Sequence, residues 1–180
     1  DKPLGKARLS LRQLREGEWE FVSHTEGTKG LAGLAGISIL ERSIFRWQGE
    51  QLQVLSYQFD QDMAFKSKHR SLRLHPETRD ISGTDGDGEF NLPYTANVLD
   101  RNLVVLALAL DLRANKKQLT YSVVDKRKTD IQRYTIASIE TISTAKGKIE
   151  AIRVERIRKQ AGRSTTTWIA PSLGYLPVQI

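Results

Sequence analysis

Apolar and polar residues alternate along most of this chain, and the alternation predicts strands. In Ala7-Arg-Leu-Ser-Leu-Arg12, Ala7, Leu9 and Leu11 share one face while Arg8, Ser10 and Arg12 share the other, the period of a half-buried strand. A turn at Arg15-Glu-Gly17 leads into a second strand with Trp19 and Phe21 on one side and Glu18, Glu20 and Val22 on the other, so the pair reads as a hairpin. Ile37 to Trp47 follows, with Ile39, Glu41, Ser43, Phe45 and Trp47 together and Leu40, Arg42, Ile44 and Arg46 opposite. A carboxylate among aromatic residues is costly to bury alone, so Glu41 is expected to have a partner. After Gln48-Gly-Glu50, Leu52 to Phe59 groups Leu55, Tyr57 and Phe59. Phe65 to Leu74 sets Lys66, Lys68, Arg70, Leu72 and Leu74 on one side, and Thr78 to Thr84 is a short strand.

The period then changes once. Leu103, Leu106, Ala107 and Leu110 recur at helical spacing behind Asp100, a good N-cap, and predict one amphipathic helix of about three turns ending near Ala114-Asn115. Strands return at Leu119 to Val124, Ile131 to Ser143, Ile149 to Arg158, Thr165 to Ala170 and Tyr175 to Ile180. The turns between them are Lys126-Arg-Lys-Thr-Asp130, Ala145-Lys-Gly-Lys148 and Gln160-Ala-Gly-Arg163. Roughly ten strands with short connections do not stay flat. The fold class expected is mainly β: a strongly curled antiparallel meander or half-open β-barrel with one helix, as a single domain over residues 1–180.

Composition narrows the functional classes. The chain has no cysteine, which excludes disulfides and thiolate metal sites. Its longest apolar run, Leu103 to Leu110, has eight residues, against about 20 for a membrane-spanning helix. It opens on Asp1 without a methionine, as a processed or trimmed product would. Net charge is +7, from 28 Lys and Arg against 21 Asp and Glu. These charges are dispersed on strand faces, and the basic turns lack an aromatic stacking platform, so nucleic acid is not an expected partner.

The motifs that suggest defined chemistry also have plainer readings. Gly27 to Gly36 carries four glycines at intervals of three but lacks the Gly-Lys-Ser/Thr ending of a phosphate loop, and reads as a pliable loop or short helix over one barrel mouth. Asp85-Gly-Asp-Gly88 lacks the further acidic positions of a calcium loop and reads as a turn. His24, His69 and His75 have no zinc-site spacing, and no cofactor or metal is expected. Glu41, with Glu140 or Glu155, could pair as catalytic carboxylates or form structural ion pairs with Arg42, Arg153 and Arg156. Trp19, Phe45, Trp47, Tyr57, Trp168 and Tyr175 either line a cavity for an apolar ligand or fill the interior, and the pattern leaves both open.

The ending Trp168-Ile-Ala-Pro-Ser-Leu-Gly-Tyr-Leu-Pro-Val178, the Glu41-Arg-Ser-Ile-Phe45 strand, the Tyr57 strand, and the Asp100 helix followed by Leu119 to Val124 resemble the bacterial proteins catalogued as domain of unknown function 3108. The resemblance runs over nearly the whole chain. It implies a predominantly β protein, exported with removal of a signal peptide to the periplasm or outer membrane of Gram-negative bacteria, and it supplies no catalytic set. The leading expectation is a non-enzymatic periplasmic protein, monomeric and capable of peripheral membrane contact, that binds an amphipathic or anionic ligand: a lipid, a lipoprotein acyl chain or a glycolipid. The six aromatics above would line the site, and Lys126-Arg-Lys128 and Lys146-Gly-Lys148 would attract an anionic headgroup. The alternatives are a lyase or hydrolase acting on an anionic envelope polysaccharide through Glu41 and Glu140, and a scaffold for an envelope machine.

Overall fold

The computed structural model describes residues 5–30, 36–144, 147–158 and 165–180. Thirteen strands are present among them. The first seven are β1 (Gly5–Arg15), β2 (Glu18–Gly27), β3 (Ser38–Gln48), β4 (Gln51–Met63), β5 (Lys66–His75), β6 (Asp80–Asp85) and β7 (Gly88–Pro93). They form one antiparallel sheet in sequence order, each hairpin joining neighbours. β8 (Leu99–Asp100), the helix α1 (Val104–Arg113), β9 (Leu119–Asp125), β10 (Lys128–Thr144), β11 (Gly147–Ile157), β12 (Thr166–Ala170), a 3-10 turn (Pro171–Leu173) and β13 (Leu176–Gln179) complete the chain. The second sheet has the order β13-β12-β11-β10-β9-β8.

The fold is mainly β, with strongly curled antiparallel strands and, among the described residues, a single helix of at least seven residues, as the alternation predicts. Several details differ. The expected ten or so strands are thirteen, because the Glu89 to Leu92 alternation is itself a strand and the two-residue β8 pairs with β9. That pair is parallel. β4 runs on to Met63, so Phe65, expected inside a strand, sits fully exposed in the turn to β5. The expected turn at Gln160 to Arg163 lies outside the described residues, as do the middle of Gly27 to Gly36 and the Ala145-Lys146 half of the next basic turn.

The chain forms two compact units. Unit 1 comprises Asp1–Leu103 and Val123–Asp130; unit 2 comprises Val104–Ser122 and Ile131–Ile180. In unit 1, strand register assigns every side chain of the seven-stranded sheet to a face. Phe21, Ser43, Tyr57, Leu72, Gly83 and Phe90 are successive cross-strand partners on the apolar face. Phe45, Val54, Phe59, Leu74 and Ile81 lie on the same face and are buried. Each such side chain contributes about 1.5–3 kcal/mol by leaving water.

A bulge decides which β4 residues reach this core. Ile44 pairs with Ser56 and Phe45 with Val54, so Leu55 is the extra residue. One inserted residue reverses the alternation. Leu52 and Val54 therefore join Tyr57 and Phe59 inside, and Leu55, expected with Tyr57, is only half-buried. A second bulge between Gln13 and Arg15 keeps Arg15 on the face of Arg12 despite their odd spacing.

In unit 2, α1 buries Val104, Ala107, Leu108 and Leu112. The buried face differs from the expected Leu103, Leu106, Ala107 and Leu110: Ala107 is on it, Leu103 is buried in the turn ahead of the helix, and Leu106 and Leu110 are half-buried. Asp111 at its end accepts hydrogen bonds from Lys116 Nζ at 2.7 Å and Tyr121 OH at 2.8 Å. Burial and that carboxylate push the Tyr121 phenol well above its ordinary range.

Candidate ligand-binding site

The six aromatics singled out from the sequence are divided between the two units. Trp19, Phe45, Trp47 and Tyr57 belong to unit 1, Trp168 and Tyr175 to unit 2. Within unit 1, Trp19 is the cross-strand partner of Phe45 on β3, and Phe45 meets Trp47 edge-on with ring centroids 5.6 Å apart. Phe45 and Tyr57 are wholly buried, whereas Trp47 is 37% exposed at the strand end, against its expected place in the interior. In unit 2, Trp168 donates its Nε1–H to Glu140 and lies under the guanidinium of Arg153 at 5.9 Å, and Tyr175 is half-buried after the 3-10 turn.

The apolar face of unit 1 also holds a polar cluster. Tyr57 OH donates to Glu41 Oε1 at 2.7 Å, and Arg101 Nε lies 3.0 Å from the same carboxylate. Glu41 thus has the partner its position demanded, though from Tyr57 and Arg101; Arg42, on the opposite face, pairs instead with Glu20. Burial, then the Glu41 charge, pushes the Tyr57 phenol far up. Beside this, Asp100 Oδ1 accepts from Ser43 Oγ and from the backbone N–H groups of Asn102 and Leu103, each at 2.9 Å. Its Oδ2 is buried without a partner, and burial raises its pKa to about 7. Asn102 extends the network to Phe21 O, Ser43 and Ser23. These groups hold the segment after β8 against the sheet and leave Asp100 Oδ2 as the unpaired acceptor of the network.

The other face of the same sheet carries an open site. Ser56, Arg73, Ser82 and Asn91 are consecutive cross-strand partners over β4 to β7, and Gln58, Ser71, Thr84 and Glu89 form the next row two residues along. Neighbouring strands are about 4.8 Å apart, so the rows make a grid of polar side chains. They line a groove of about 470 Å³ together with Tyr57, Leu72, Gly83 and Phe90. Small-molecule sites fall within about 300–1,000 Å³. Behind the groove, on the apolar face, a Cβ at Gly83 would lie 2.6 Å from Ser71 O and 2.7 Å from Phe90 Cζ, so Phe90 packs into space that only glycine leaves.

Most of the donors and acceptors in this groove are uncommitted. Ser71 and Thr84 hydroxyls share a hydrogen bond at 2.8 Å, and His75 Nε2 meets Ser82 Oγ at 3.1 Å. The side chains of Gln58, Arg73, Glu89 and Asn91 have no side-chain partner among the described residues. Hydroxyls, amides, one guanidinium and one carboxylate make a surface suited to a hydroxylated ligand.

None of these eight was singled out from the sequence. Each looks like a solvated strand position, and only the register collects them. One signal was available: six of the eight positions carry Ser, Thr, Asn or Gln, at alternating places on four consecutive strands. The groups considered for catalysis are engaged elsewhere. Glu140 accepts from Trp168 and Ser138, Glu155 pairs with Arg153, His24 meets Ser38, and His69 meets Asp60. Among the described residues no three metal-ligating side chains cluster, and no helix is long and apolar enough to cross a membrane.

No curated protein matches this chain. Among solved structures it is similar to a β-barrel-like protein of the domain of unknown function DUF1849 from Brucella abortus, at 7% identity and a TM-score of 0.51, with 96% of this chain and 79% of that chain covered. At that identity the likeness is one of fold. A family model described as "Protein of unknown function (DUF3108)" matches residues 2–180, and the chain belongs to that family.

Proposed function

We propose that this protein is a non-enzymatic binding protein of the bacterial periplasm that holds the hydroxylated headgroup of a glycolipid in the groove across β4 to β7. The observation that carries this reading is the double row of eight polar side chains lining about 470 Å³ on an exposed sheet face. A saccharide presents vicinal hydroxyls that both donate and accept, as Ser, Thr, Asn and Gln side chains do. Arg73 adds a guanidinium that favours a headgroup bearing negative charge. Of the ligands expected from the sequence, an acyl chain is the least suited to such a lining, because it would strip water from these groups and return no hydrogen bonds. The periplasmic placement rests on the family resemblance.

The test is calorimetric titration of the purified protein with a hexosamine disaccharide, alongside Ser71→Ala/Thr84→Val and Arg73→Ala variants. Binding by the wild type, weakened about tenfold or more in either variant, supports the reading. Equal affinity in all three proteins removes the groove from consideration.

A further inference from the structure

The polar face continues past the groove onto β1, β2 and β3, where its composition changes. Val22, Arg42, Gln58 and Ser71 are consecutive partners, as are Arg12, Glu20, Ile44 and Ser56, so this second region shares two rows with the groove. It is built from two carboxylates, each held between two arginines. Glu20 is bonded by Arg12 and lies 3.2 Å from Arg42 Nε. Glu18 accepts from Arg15 Nε at 2.7 Å, Arg15 Nη2 at 2.8 Å and Arg46 Nη2 at 2.7 Å.

The layering of these groups matters more than their number. The Glu20 and Glu18 side chains are only 4% and 8% exposed, while their four arginines are 45–74% exposed. The carboxylates therefore lie beneath, and what solvent meets is guanidinium. Each carboxylate uses only part of each five-donor fork, so N–H groups on all four arginines stay free to point outward. The bonds from Arg15 and Arg46 hold Glu18 ionised, with a pKa of about 2, so that pair of arginines stays fixed at any physiological pH. Two cations for each anion leave the region net positive. Surface ion pairs are commonly no more than solvated decoration, worth little each. Here the arrangement occurs twice along the same three strands, anchored from below, and abuts a groove with unused donors.

Building on the groove reading, we infer that the ligand is a polyanionic saccharide, its sugar in the β4–β7 groove and its anionic groups on the paired Arg12/Arg42 and Arg15/Arg46 clamps. Planar guanidinium forks match the geometry of phosphate and carboxylate, and arginines already held by a carboxylate lose less freedom on binding than unpaired ones.

The experiment titrates the full chain with three probes: a bisphosphorylated hexosamine disaccharide, the same disaccharide without phosphates, and inorganic phosphate. The variant is Arg42→Gln/Arg46→Gln, which leaves each carboxylate one arginine and so preserves the fold. The expected result is that the bisphosphorylated sugar binds at least about tenfold tighter than the neutral one. That preference should vanish in the variant while neutral-sugar affinity stays unchanged. In the wild type the preference should also shrink as salt is raised, a readout that needs no variant. If both sugars bind the wild type alike, the clamps are structural and the inference falls while the groove reading stands. Inorganic phosphate binding as tightly as the bisphosphorylated sugar would overturn the saccharide assignment. If neither sugar binds, the groove reading fails and the inference with it.

Discussion

Asp100 offers the sharpest test of the interior of unit 1. Its carboxyl is wholly buried, with Oδ1 accepting three hydrogen bonds and Oδ2 accepting none. Burial raises its pKa from the ordinary 3.8 of an aspartate to about 7. At about 1.4 kcal/mol per pH unit, that gap corresponds to ~4 kcal/mol. The native state binds the proton more tightly than the unfolded chain, so this stability is fully present below pH 3.8 and is lost as pH rises to about 7. Asp100→Asn keeps the Oδ1 acceptor and removes the titration. Denaturant unfolding of both proteins, followed by tryptophan emission in a Trp168→Phe background, reports on Trp19 and Trp47 in unit 1 alone. The unfolding free energy with Asp100 in place, minus that of the Asp100→Asn variant, should fall by several kcal/mol between pH 4 and pH 8. The subtraction cancels groups of opposite sign such as Glu18, whose lowered pKa gives stability that is lost in acid. A flat difference curve would show that Asp100 is solvated and that the buried network is misdescribed.

Other substitutions separate packing from surface. Gly83→Ala should destabilise unit 1 by ~1–3 kcal/mol, measured by thermal unfolding, because its methyl meets the Ser71 carbonyl and the Phe90 ring. Phe45→Ala should cost ~3–5 kcal/mol in chemical denaturation. Trp47→Ala, at an exposed strand end where the ring meets the edge of Phe45, should cost ~1 kcal/mol in the same assay. Tyr57→Phe removes one hydrogen bond to Glu41 but leaves Arg101, so a loss of ~1 kcal/mol is expected; a loss as large as that of Phe45→Ala would mean that Arg101 does not hold the carboxylate.

Much of the architecture was legible because strand burial has a strict period of two. The hairpin at Glu16-Gly17, the turn at Gly86-Asp87, and the helix behind Asp100 all follow from local chemistry. The bulge at Leu55 was not legible. Leu52, Val54, Leu55, Tyr57 and Phe59 contain apolar residues in both phases, and only pairing with β3 shows where the phase changes. For the same reason Glu18 and Glu20 looked solvated, yet they are buried beneath arginines brought from β1 and β3. The groove eluded the sequence altogether, since its residues come from four strands and mean something only in rows. Aromatic residues stand out in a sequence by their size, and Phe45 and Tyr57 turn out to be interior packing.

The central claim is that unit 1 carries a hydroxylated ligand on its polar face. The most direct measurement is native mass spectrometry of the protein recovered gently from the cells that make it, with organic extraction of whatever it releases. The account predicts a discrete sugar-bearing lipid adduct, lost on denaturation and absent from the Ser71→Ala/Thr84→Val protein. An adduct that persists unchanged in that variant, or a bare mass in every gentle preparation, would contradict it.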